Sequence, residues 1–418
     1  MNEGYRVPWA GWAGERMAKY AARMKRDLCY GCIGACPRAI YRASDGSSGK
    51  FVCLPAVLLY HERAYGYYGK FTDVPFFAAN LCDNYGLDTE VIHAMMPWLV
   101  RCREAGVLTD EGTGIPLSKV GSIEFIETLV RKISLREGFG EILAQGIHKA
   151  ADLIGQGARE LIGDDTSKDG KHSTYCPRMH ITHGILYAME SRQPVEQLHE
   201  IGLPLIDWVD WVKKVEGSYL STGILREIGK RFWGGELAVD FSTYEGKALA
   251  ATKIQNREYV KESLILCDFM WPISRVRCSE DHIGDPTIES SLLSAVTGKE
   301  MGEDELYEVG ERIFNLQRAI LLMEGRDGRD SDNLPEIYYT LPLQATNQNP
   351  DCLAPGEKGE IISRKGVVVD RAKFEKMKDE YYQLRGWDVA TGLPTEPKLS
   401  ELGLHDVAKK LASKKLVV

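Results

Sequence analysis

The chain has 418 residues, a net charge of −8, 44% hydrophobic residues and 27% charged residues. This length exceeds one ordinary hydrophobic core and predicts two domains. The acidic balance leaves no basic footprint for nucleic acid, and no apolar run approaches the roughly 18 residues that would span a membrane. The N-terminus lacks a signal-peptide pattern. The cysteines are mostly scattered, which favours a reducing, cytoplasmic location.

Three cysteines lie close together near the N-terminus: Cys29, Cys32 and Cys36. One short loop can point all three sulfurs at a common centre, because Gly31 and Gly34 let the backbone wrap. Thiolates at this density select zinc or an iron–sulfur cluster, and zinc sites usually combine two separated pairs of ligands. The Cys-x2-Cys-x3-Cys-Pro pattern therefore predicts three corners of a [4Fe–4S] cluster whose fourth ligand is distant in sequence. A zinc site and a structural accident are the alternatives.

The rest of the pattern is mostly helical, so the predicted fold class is predominantly α. A helix over 11–27 leads into the three cysteines, and a turn-rich loop follows at 42–50. Further helices are predicted at 74–84, 89–105, 122–133, 140–154, 208–215, 249–266, 288–296, 303–325 and 372–384. Residues 332–359 are predicted to be irregular, and 366–370 give the clearest strand signal. The polar segment 161–172 divides two predicted helical domains, residues 1–165 and 166–418.

Several segments, in order along nearly the whole chain, resemble the aldehyde:ferredoxin oxidoreductase family of tungsten or molybdenum bispterin enzymes. The three cysteines resemble the family's cluster site. Asp83-Asn-Tyr-Gly86-Leu87-Asp88 matches its Asp-x-x-Gly-Leu-Asp pterin motif. Segments 136–146, 296–298, 305–316, 324–335 and 384–395 complete the likeness. The family's N-terminal β-rich pterin-binding domain has no counterpart here, so the resemblance implies the two C-terminal domains. It also implies that the missing domain is supplied by the same or a separate polypeptide.

The family's second pterin motif is Asp-x-x-Gly-Leu-Cys, and its Cys is the fourth cluster ligand. The matching residues are Glu262-Ser-Leu-Ile265-Leu266-Cys267. The resemblance therefore implies Cys267 as the fourth ligand and Glu262 as a pterin contact, with Glu in place of Asp and Ile in place of Gly. A carboxylate suits a pterin because it accepts two N–H groups at once. Without the resemblance, Asp83 and Asp88 would be interpreted as a helix end and the cap of the next helix.

The resemblance also implies acid–base side chains near the metal, from two segments. In the first, Cys53 stands near a position where many members carry Glu. This departure is similar to the aryl-CoA reductase branch, in which a Cys thiolate ligates tungsten; a small buried hydrophobe is the alternative. His61 and Glu62 lie close by and are interpreted as a helix-surface pair, with proton donation near the metal as the alternative. In the second segment, residues 175–192 and beyond, His183 and His199 are the candidate catalytic residues, and a structural role is the alternative for each.

The resemblance implies oxidation of an aldehyde to a carboxylate at a tungsten or molybdenum bispterin. Electrons would pass through the [4Fe–4S] cluster to ferredoxin or another low-potential carrier. The first alternative is the catalytic subunit of a class II aryl-CoA reductase, whose substrate is an acyl-CoA. The second is a non-catalytic iron–sulfur electron-transfer module or a truncated fragment. No nucleic acid or membrane partner is expected.

Overall fold

The computed structural model describes residues 24–26, 39–51, 53–163, 166, 175–267, 271, 274–346 and 349–418. The chain forms two compact units, Met1–Ser173 and Thr174–Val418, which we call the N-terminal and C-terminal units. The division falls at the end of the polar segment 161–172. The predicted α class is confirmed, since helices dominate both units. Over the described ranges, none of the helices combines the length and apolar character needed to cross a membrane.

The described part of the N-terminal unit consists of a small antiparallel sheet followed by helices. The strands are β1 (Met24–Arg26), β2 (Ala39–Arg42) and β3 (Ser48–Phe51), in the order β1-β2-β3. Tyr41 is in register with Met24 on one side and Gly49 on the other. The α-helices are α1 (Cys53–Tyr68), α2 (Val74–Tyr85), α3 (Thr89–Glu104), α4 (Asp110–Thr113), α5 (Ile123–Leu135), α6 (Phe139–Leu143) and α7 (Ile147–Ile154). A 3₁₀ turn occupies Leu117–Lys119.

Local signals explain where the helices of this unit begin. The hydroxyl of Ser122 accepts a hydrogen bond from the backbone N–H of Phe125 and thereby caps α5, as expected of an N-cap serine. The apolar face of α5 then packs into a core with Trp98 of α3, whose indole N–H donates to the carbonyl of Ala158 at 2.9 Å. Trp98 is buried, and its polar N–H is hydrogen-bonded. Its packing therefore stabilises the contact between the helices.

The C-terminal unit is larger, and most of its described regular elements are helices. Its α-helices are α8 (Ile181–Met189), α9 (Val195–Val212), α10 (Thr222–Phe232), α11 (Lys247–Ser263), α12 (Ile288–Thr297), α13 (Glu303–Met323), α14 (Ile337–Thr340), α15 (Arg371–Arg385), α16 (Glu396–Glu401) and α17 (His405–Ala412). A two-stranded antiparallel ribbon joins β4 (Leu353–Pro355) to β5 (Ile361–Ser363). Short 3₁₀ turns lie at Glu236–Val239 and Gly328–Ser331.

Helix α11 lies at the centre of the C-terminal unit and packs against α8, α9, α13 and α15. Its second half is polar yet buried: Gln255, Arg257, Glu258 and Lys261 are each at most 2% exposed. A buried polar face requires partners on the neighbouring helices. This unit is therefore built around internal ion pairs and hydrogen bonds as well as apolar contacts.

Several sequence-based element predictions were wrong. Residues 24–26, at the end of the predicted helix 11–27, form strand β1, and the loop predicted at 42–50 contains the start of β3. The predicted strand 366–370 is irregular: Val369 donates its N–H to the carbonyl of Tyr338 instead of joining a ladder. Helix α8 was missed because every one of its residues is buried, so its sequence shows no polar face.

Candidate functional site

The three clustered cysteines, Cys29, Cys32 and Cys36, lie outside the described residues. Cys267 is described, and it is an exposed free thiol just beyond the end of α11. Within the parts of the chain that the structure describes, His, Cys, Asp and Glu nowhere form a group of three or more that could hold a metal. The four-cysteine cluster therefore stays a prediction, for which Cys267 provides an accessible sulfur.

The segment predicted to be the first pterin motif, residues 83–88, forms what we call the first turn. It ends α2 with Gly86 in the left-handed conformation, at φ 70°. The Gly86 N–H donates to the Asp83 carbonyl at 3.2 Å, and the Leu87 N–H donates to the Cys82 carbonyl at 2.8 Å. This paired arrangement is the Schellman motif, which favours Gly at its left-handed position. The turn leaves the Asp83 side chain exposed at the helix end.

Asp88 closes the first turn by capping the next helix. One of its carboxylate oxygens accepts the N–H of Glu90 at 2.9 Å, at the start of α3. Both local roles, a helix end followed by an N-cap, are thus present at this motif. The N-cap role uses one oxygen of the Asp88 carboxylate. The helix-end role of Asp83 uses its backbone carbonyl and not its carboxylate. Of the two acids, Asp83 is the better placed to meet a ligand.

Asp83 also borders a cleft of the N-terminal unit. The cleft has a volume of about 530 Å³. It is lined by residues 47–49, Phe76, Phe77, Asn80, Leu81, Asp83, Asn84 and Glu127. Aromatic rings, side-chain amides and carboxylates together suit a flat heterocycle that carries several N–H donors. Asn80, Asn84 and Glu127 were not predicted as site residues, although Asn84 lies within the motif 83–88 and Asn80 lies three residues before it.

The segment predicted to be the second pterin motif, residues 262–267, forms what we call the second turn. Here Ile265 takes the left-handed conformation, at φ 58°. The Ile265 N–H donates to the Glu262 carbonyl at 3.1 Å, and the Leu266 N–H donates to the Lys261 carbonyl at 2.9 Å. The hydrogen bonds match those of the first turn atom for atom. The Ile265 side chain projects into solvent and is 91% exposed.

Glu262 stands at the start of the second turn, where Asp83 stands in the first. The residue is exposed overall, but its carboxyl end is crowded. Partial burial, together with the nearby carboxylates of Glu196 and Glu190, raises the pKa of Glu262 to about 7. Glu262 is therefore close to half protonated at neutral pH, and it can both accept and donate a hydrogen bond.

Histidines gather in the C-terminal unit around Tyr175. The rings of His180 and His183 stack with centroids 4.4 Å apart, and the Tyr175 ring meets His199 edge-on at 5.3 Å. All three histidines are buried. Gly202 of α9 makes room for this arrangement, since a Cβ there would lie 2.7 Å from the Tyr175 ring. The structure thus brings together the two predicted candidates, His183 and His199, and adds Tyr175 and His180, which were missed.

Burial disfavours the charged form of two of these histidines, His180 and His183. Burial lowers the pKa of His180 to about 3 and holds the pKa of His183 well below its usual range. His183 Nδ1 lies 3.1 Å from the Tyr175 carbonyl, which places a proton on that nitrogen. Neither Nδ1 of His180 nor Nε2 of His183 makes a well-formed hydrogen bond to a described residue, although the carbonyls of Cys176 and Leu198 lie nearby.

The other predicted candidates lie in the N-terminal unit. Cys53 is the first residue of α1, and its side chain lies outside what the structure describes. His61, in the same helix, was predicted to be a surface residue, and that prediction was wrong: it is 5% exposed and stacks on Phe71 with ring centroids 5.3 Å apart. Its neighbour Glu62 is exposed, as expected.

A buried acid of the C-terminal unit was missed by sequence analysis. The Glu190 carboxylate accepts hydrogen bonds from Gln197 at 2.7 Å and Gln317 at 2.6 Å. Tyr259 donates to the same carboxylate at 3.0 Å. Glu190 ends the histidine-bearing segment and also lies near Glu262. Sequence spacing does not predict this site, because the side chains that bind the Glu190 carboxylate come from different helices.

Comparison with known proteins identifies the family of the chain. Residues 1–404 match the profile of the family "Aldehyde ferredoxin oxidoreductase, domains 2 & 3". The tungsten-containing aldehyde ferredoxin oxidoreductase of Pyrococcus horikoshii is 25% identical over 398 residues, covering 94% of this chain and 55% of that protein. The aliphatic sulfonate oxidoreductase, WOR-like subunit, of Pyrococcus furiosus is 24% identical and covers 80% of this chain and 43% of that protein. The chain thus spans about half the length of these relatives.

The fold is also similar to a solved structure. The active-site complex BamBC of benzoyl coenzyme A reductase, in complex with 1,5-dienoyl-CoA, contains a chain that superimposes with a TM-score of 0.62. The match covers 99% of this chain and 58% of that chain, at 20% sequence identity, so it is a likeness of fold. The sequence match, which extends over both units, is the stronger result. The chain therefore belongs to the aldehyde ferredoxin oxidoreductase family, in the part that forms its domains 2 and 3.

Proposed function

We propose that the chain is the helical part of a tungsten or molybdenum bispterin oxidoreductase that oxidises an aldehyde to a carboxylate. Electrons leave through a [4Fe–4S] cluster to ferredoxin or another low-potential carrier. The observation that carries this proposal is the pair of matching left-handed turns. Each turn presents a carboxylate at a helix end, and each lies at a pterin motif of the family. The relatives' names supply the reaction class.

The first turn fits a pterin well. Asp83 is exposed beside a cleft that offers the Phe76 ring and the Asn80 amide. Gly86 has no heavy atom within 4 Å of its Cβ position, so a ring can approach the backbone there. The second turn keeps the carboxylate, Glu262, and adds the exposed Ile265 side chain, which offers a ring an apolar contact. When bound, the bispterin metal supplies the redox chemistry, while these residues bind and orient the pterins.

The histidine cluster is proposed to handle protons. Oxidation of an aldehyde to a carboxylate releases protons, and a neutral imidazole accepts one. His183 and His199 share one buried site, and Tyr175 packs against both rings. The lowered pKa of His183 makes it a weak proton acceptor, so the role is assigned to His199, with His183 as its neighbour. The proposed cluster ligands are Cys29, Cys32, Cys36 and Cys267.

The second candidate function is that of a class II aryl-CoA reductase, which runs low-potential electrons in the opposite direction. Two observations favour it: the fold likeness to the benzoyl coenzyme A reductase complex, and Cys53 near the position of an expected glutamate. In this case the Cys53 thiolate would ligate the metal. Cys53→Ala would then abolish retention of tungsten, whereas in an aldehyde oxidase it would change metal content little.

The test is anaerobic co-production of the chain with the polypeptide that supplies the rest of the relatives' length. The product is assayed with a panel of aldehydes and benzyl viologen, and its metals are measured. Reduction of the dye with an aldehyde supports the proposal, and failure with every aldehyde favours the aryl-CoA reductase. Iron at roughly four atoms per chain without tungsten or molybdenum would instead indicate an electron-transfer module.

The cluster ligand is tested separately. Cys267→Ser is expected to lower the iron content, because a hydroxyl is a poor replacement for a soft thiolate. Cys278→Ser is the matched control, since Cys278 is also an exposed free thiol of the C-terminal unit. Equal iron in both variants would remove Cys267 from the proposed ligand set.

A further inference from the structure

Lys247 is a buried lysine at the first position of α11. It is 0% exposed, and its side chain has no role in the proposed function. A cation is unfavourable at this position, because the helix dipole already places positive charge at the N-terminus. Removal of the ammonium from water adds a second cost. Other contacts must therefore compensate for both.

Three backbone carbonyls surround the side-chain nitrogen of Lys247. The nitrogen donates to the carbonyls of Leu237 and Asp240, the latter at 2.6 Å, and to the carbonyl of Glu245 at 3.3 Å. An ammonium has three N–H donors, whereas a neutral amine has only two. Three acceptors around one nitrogen therefore match the charged form. We call these three oxygens the carbonyl cage.

The cage holds its cation through carbonyl oxygens. The Asp240 carboxylate is engaged elsewhere, since it accepts the Ser242 backbone N–H at 2.9 Å and the Ser242 hydroxyl at 2.6 Å. Burial lowers the pKa of Lys247 to about 7, although Asp240 and Glu245 oppose the shift. Converging backbone carbonyls are also the ligands that replace the hydration shell of bare monovalent cations in proteins.

A close approach of two segments builds the cage. Leu237 belongs to the 3₁₀ turn Glu236–Val239, which reaches the start of α11. Gly246, just before Lys247, has a left-handed backbone at φ 73°, and a Cβ there would lie 2.7 Å from the Leu237 side chain. The glycine therefore lets the turn come near enough for the lysine nitrogen to bind its carbonyl.

The cage is continuous with a residue that packs on the histidine cluster. Phe241 follows Asp240, and its ring meets the His180 ring edge-on with centroids 6.2 Å apart. The Phe241 carbonyl accepts a hydrogen bond from Arg364, and its N–H donates to the Pro355 carbonyl at 2.9 Å. Phe241 is buried. A displacement of the cage would therefore move this ring.

We propose that the carbonyl cage is a site for a monovalent cation, in which Lys247 supplies the resident ammonium, and that this cation holds Phe241 in place against His180. Lys247 is thus a positioning residue for the histidine cluster. The cage stands on its own contacts, and its test uses no catalytic activity. Failure of the proposed function would therefore leave this proposal intact, and the reverse also holds.

Replacement of the resident cation tests the cage. Lys247→Ala removes the ammonium, and an ammonium ion from solution should take its place. Urea denaturation of the whole chain near pH 6 compares ammonium chloride with choline chloride, whose cation is too large for the cage. If ammonium binds with a Kd of about 50 mM, about 0.5 M ammonium raises the folding constant of the variant roughly tenfold.

The matched control is Lys253→Ala, which removes an exposed lysine of the same helix. This variant and the native chain should respond equally to the two salts. The proposal is overturned by equal stability of Lys247→Ala in both salts, by an equal ammonium effect in Lys253→Ala, or by failure of Lys247→Ala to refold in ammonium.

The position of Phe241 gives a spectroscopic readout. With ¹³C-labelled histidine, the NMR signal of His180 is assigned from its loss in His180→Gln, and it senses the ring current of Phe241. In Lys247→Ala the signal should move in choline chloride towards its position in Phe241→Leu, and it should return in ammonium chloride. A signal that stays at its native position in both salts would show that the cage does not position Phe241.

Discussion

The first and second turns share a backbone and differ in the residue at its most demanding position. Both end a helix with the same two hydrogen bonds and a left-handed residue. That residue is Gly86 in the first turn and Ile265 in the second. A β-branched residue in this conformation is strained by about 1–2 kcal/mol. The second turn therefore keeps the geometry at a cost in stability, which indicates that the geometry itself is needed.

The acids of the two turns also differ. Asp83 is short and borders an open cleft, whereas Glu262 is longer and lies near Glu190 and Glu196. Under the proposed function the first turn is thus a well-formed pterin contact, and the second is a contact whose charge depends on pH. The predictions below test this difference in order of expected effect.

Asp83→Ala should weaken pterin retention more than Glu262→Ala does. A carboxylate hydrogen-bonded to ring N–H groups contributes about 1.5–3 kcal/mol, so loss of Asp83 should lower retention roughly 10- to 100-fold. Loss of Glu262 should cost less than about tenfold, because its half-protonated carboxyl is a weaker acceptor. Pterin content of the assembled enzyme after gel filtration measures both. An equal loss in the two variants would show that the turns contribute alike.

Substitution of the left-handed residue should stabilise the chain in the second turn and destabilise it in the first. Ile265→Gly should stabilise the chain by about 1 kcal/mol, since it relieves strain and sacrifices a side chain that is 91% exposed. Gly86→Ala should destabilise it by about 1 kcal/mol through backbone strain alone, because its Cβ would meet no atom within 4 Å. Urea denaturation measures both changes. A loss of stability in Ile265→Gly would mean that the isoleucine makes a contact that outweighs its strain.

Substitution of the last residue of each turn, Asp88 or Cys267, should change stability by a similar or smaller amount. Asp88→Ala removes the cap of α3 and should cost about 1 kcal/mol, while Asp88→Asn should restore most of it. Cys267→Ala should change stability by less than about 0.5 kcal/mol in the metal-free chain, because its thiol is exposed. Thermal unfolding of the metal-free chain distinguishes the two. A large loss in Cys267→Ala would point to a structural role for that residue.

Local rules predicted the first turn and failed at the second. A Tyr-Gly pair before Leu and Asp signals a helix end and a new cap, and α2 ends at Tyr85 as expected. At 264–266 the apolar run Leu-Ile-Leu continued the helical pattern, so the predicted helix ran to 266, whereas α11 ends at Ser263. Ile in the left-handed region has no sequence signal, so the turn at 262–267 was not predicted.

The buried charges escaped sequence analysis for a different reason. Arg257 and Lys261 look like the polar face of a solvated helix, and their burial depends on Glu200 and Glu289 from other helices. Similarly, His61 was predicted to be exposed because the local sequence does not indicate that Phe71 will stack on it. Periodicity indicates helices, but the burial of an ionisable group is decided by partners distant in sequence.

The smallest expected effect is the pH dependence that Glu262 brings to the second turn. Its pKa of about 7 exceeds the ordinary glutamate value, so its contribution to stability is fully present at acid pH and is lost as pH rises from about 4.5 to 7. Because the residue is exposed, solvent screening reduces this contribution to about a few tenths of a kcal/mol. Glu262→Gln should flatten the stability profile over this interval, and the exposed control Glu308→Gln should leave it unchanged. If the stability of Glu262→Gln depended on pH as steeply as that of the native chain, the dependence would have to come from groups other than Glu262.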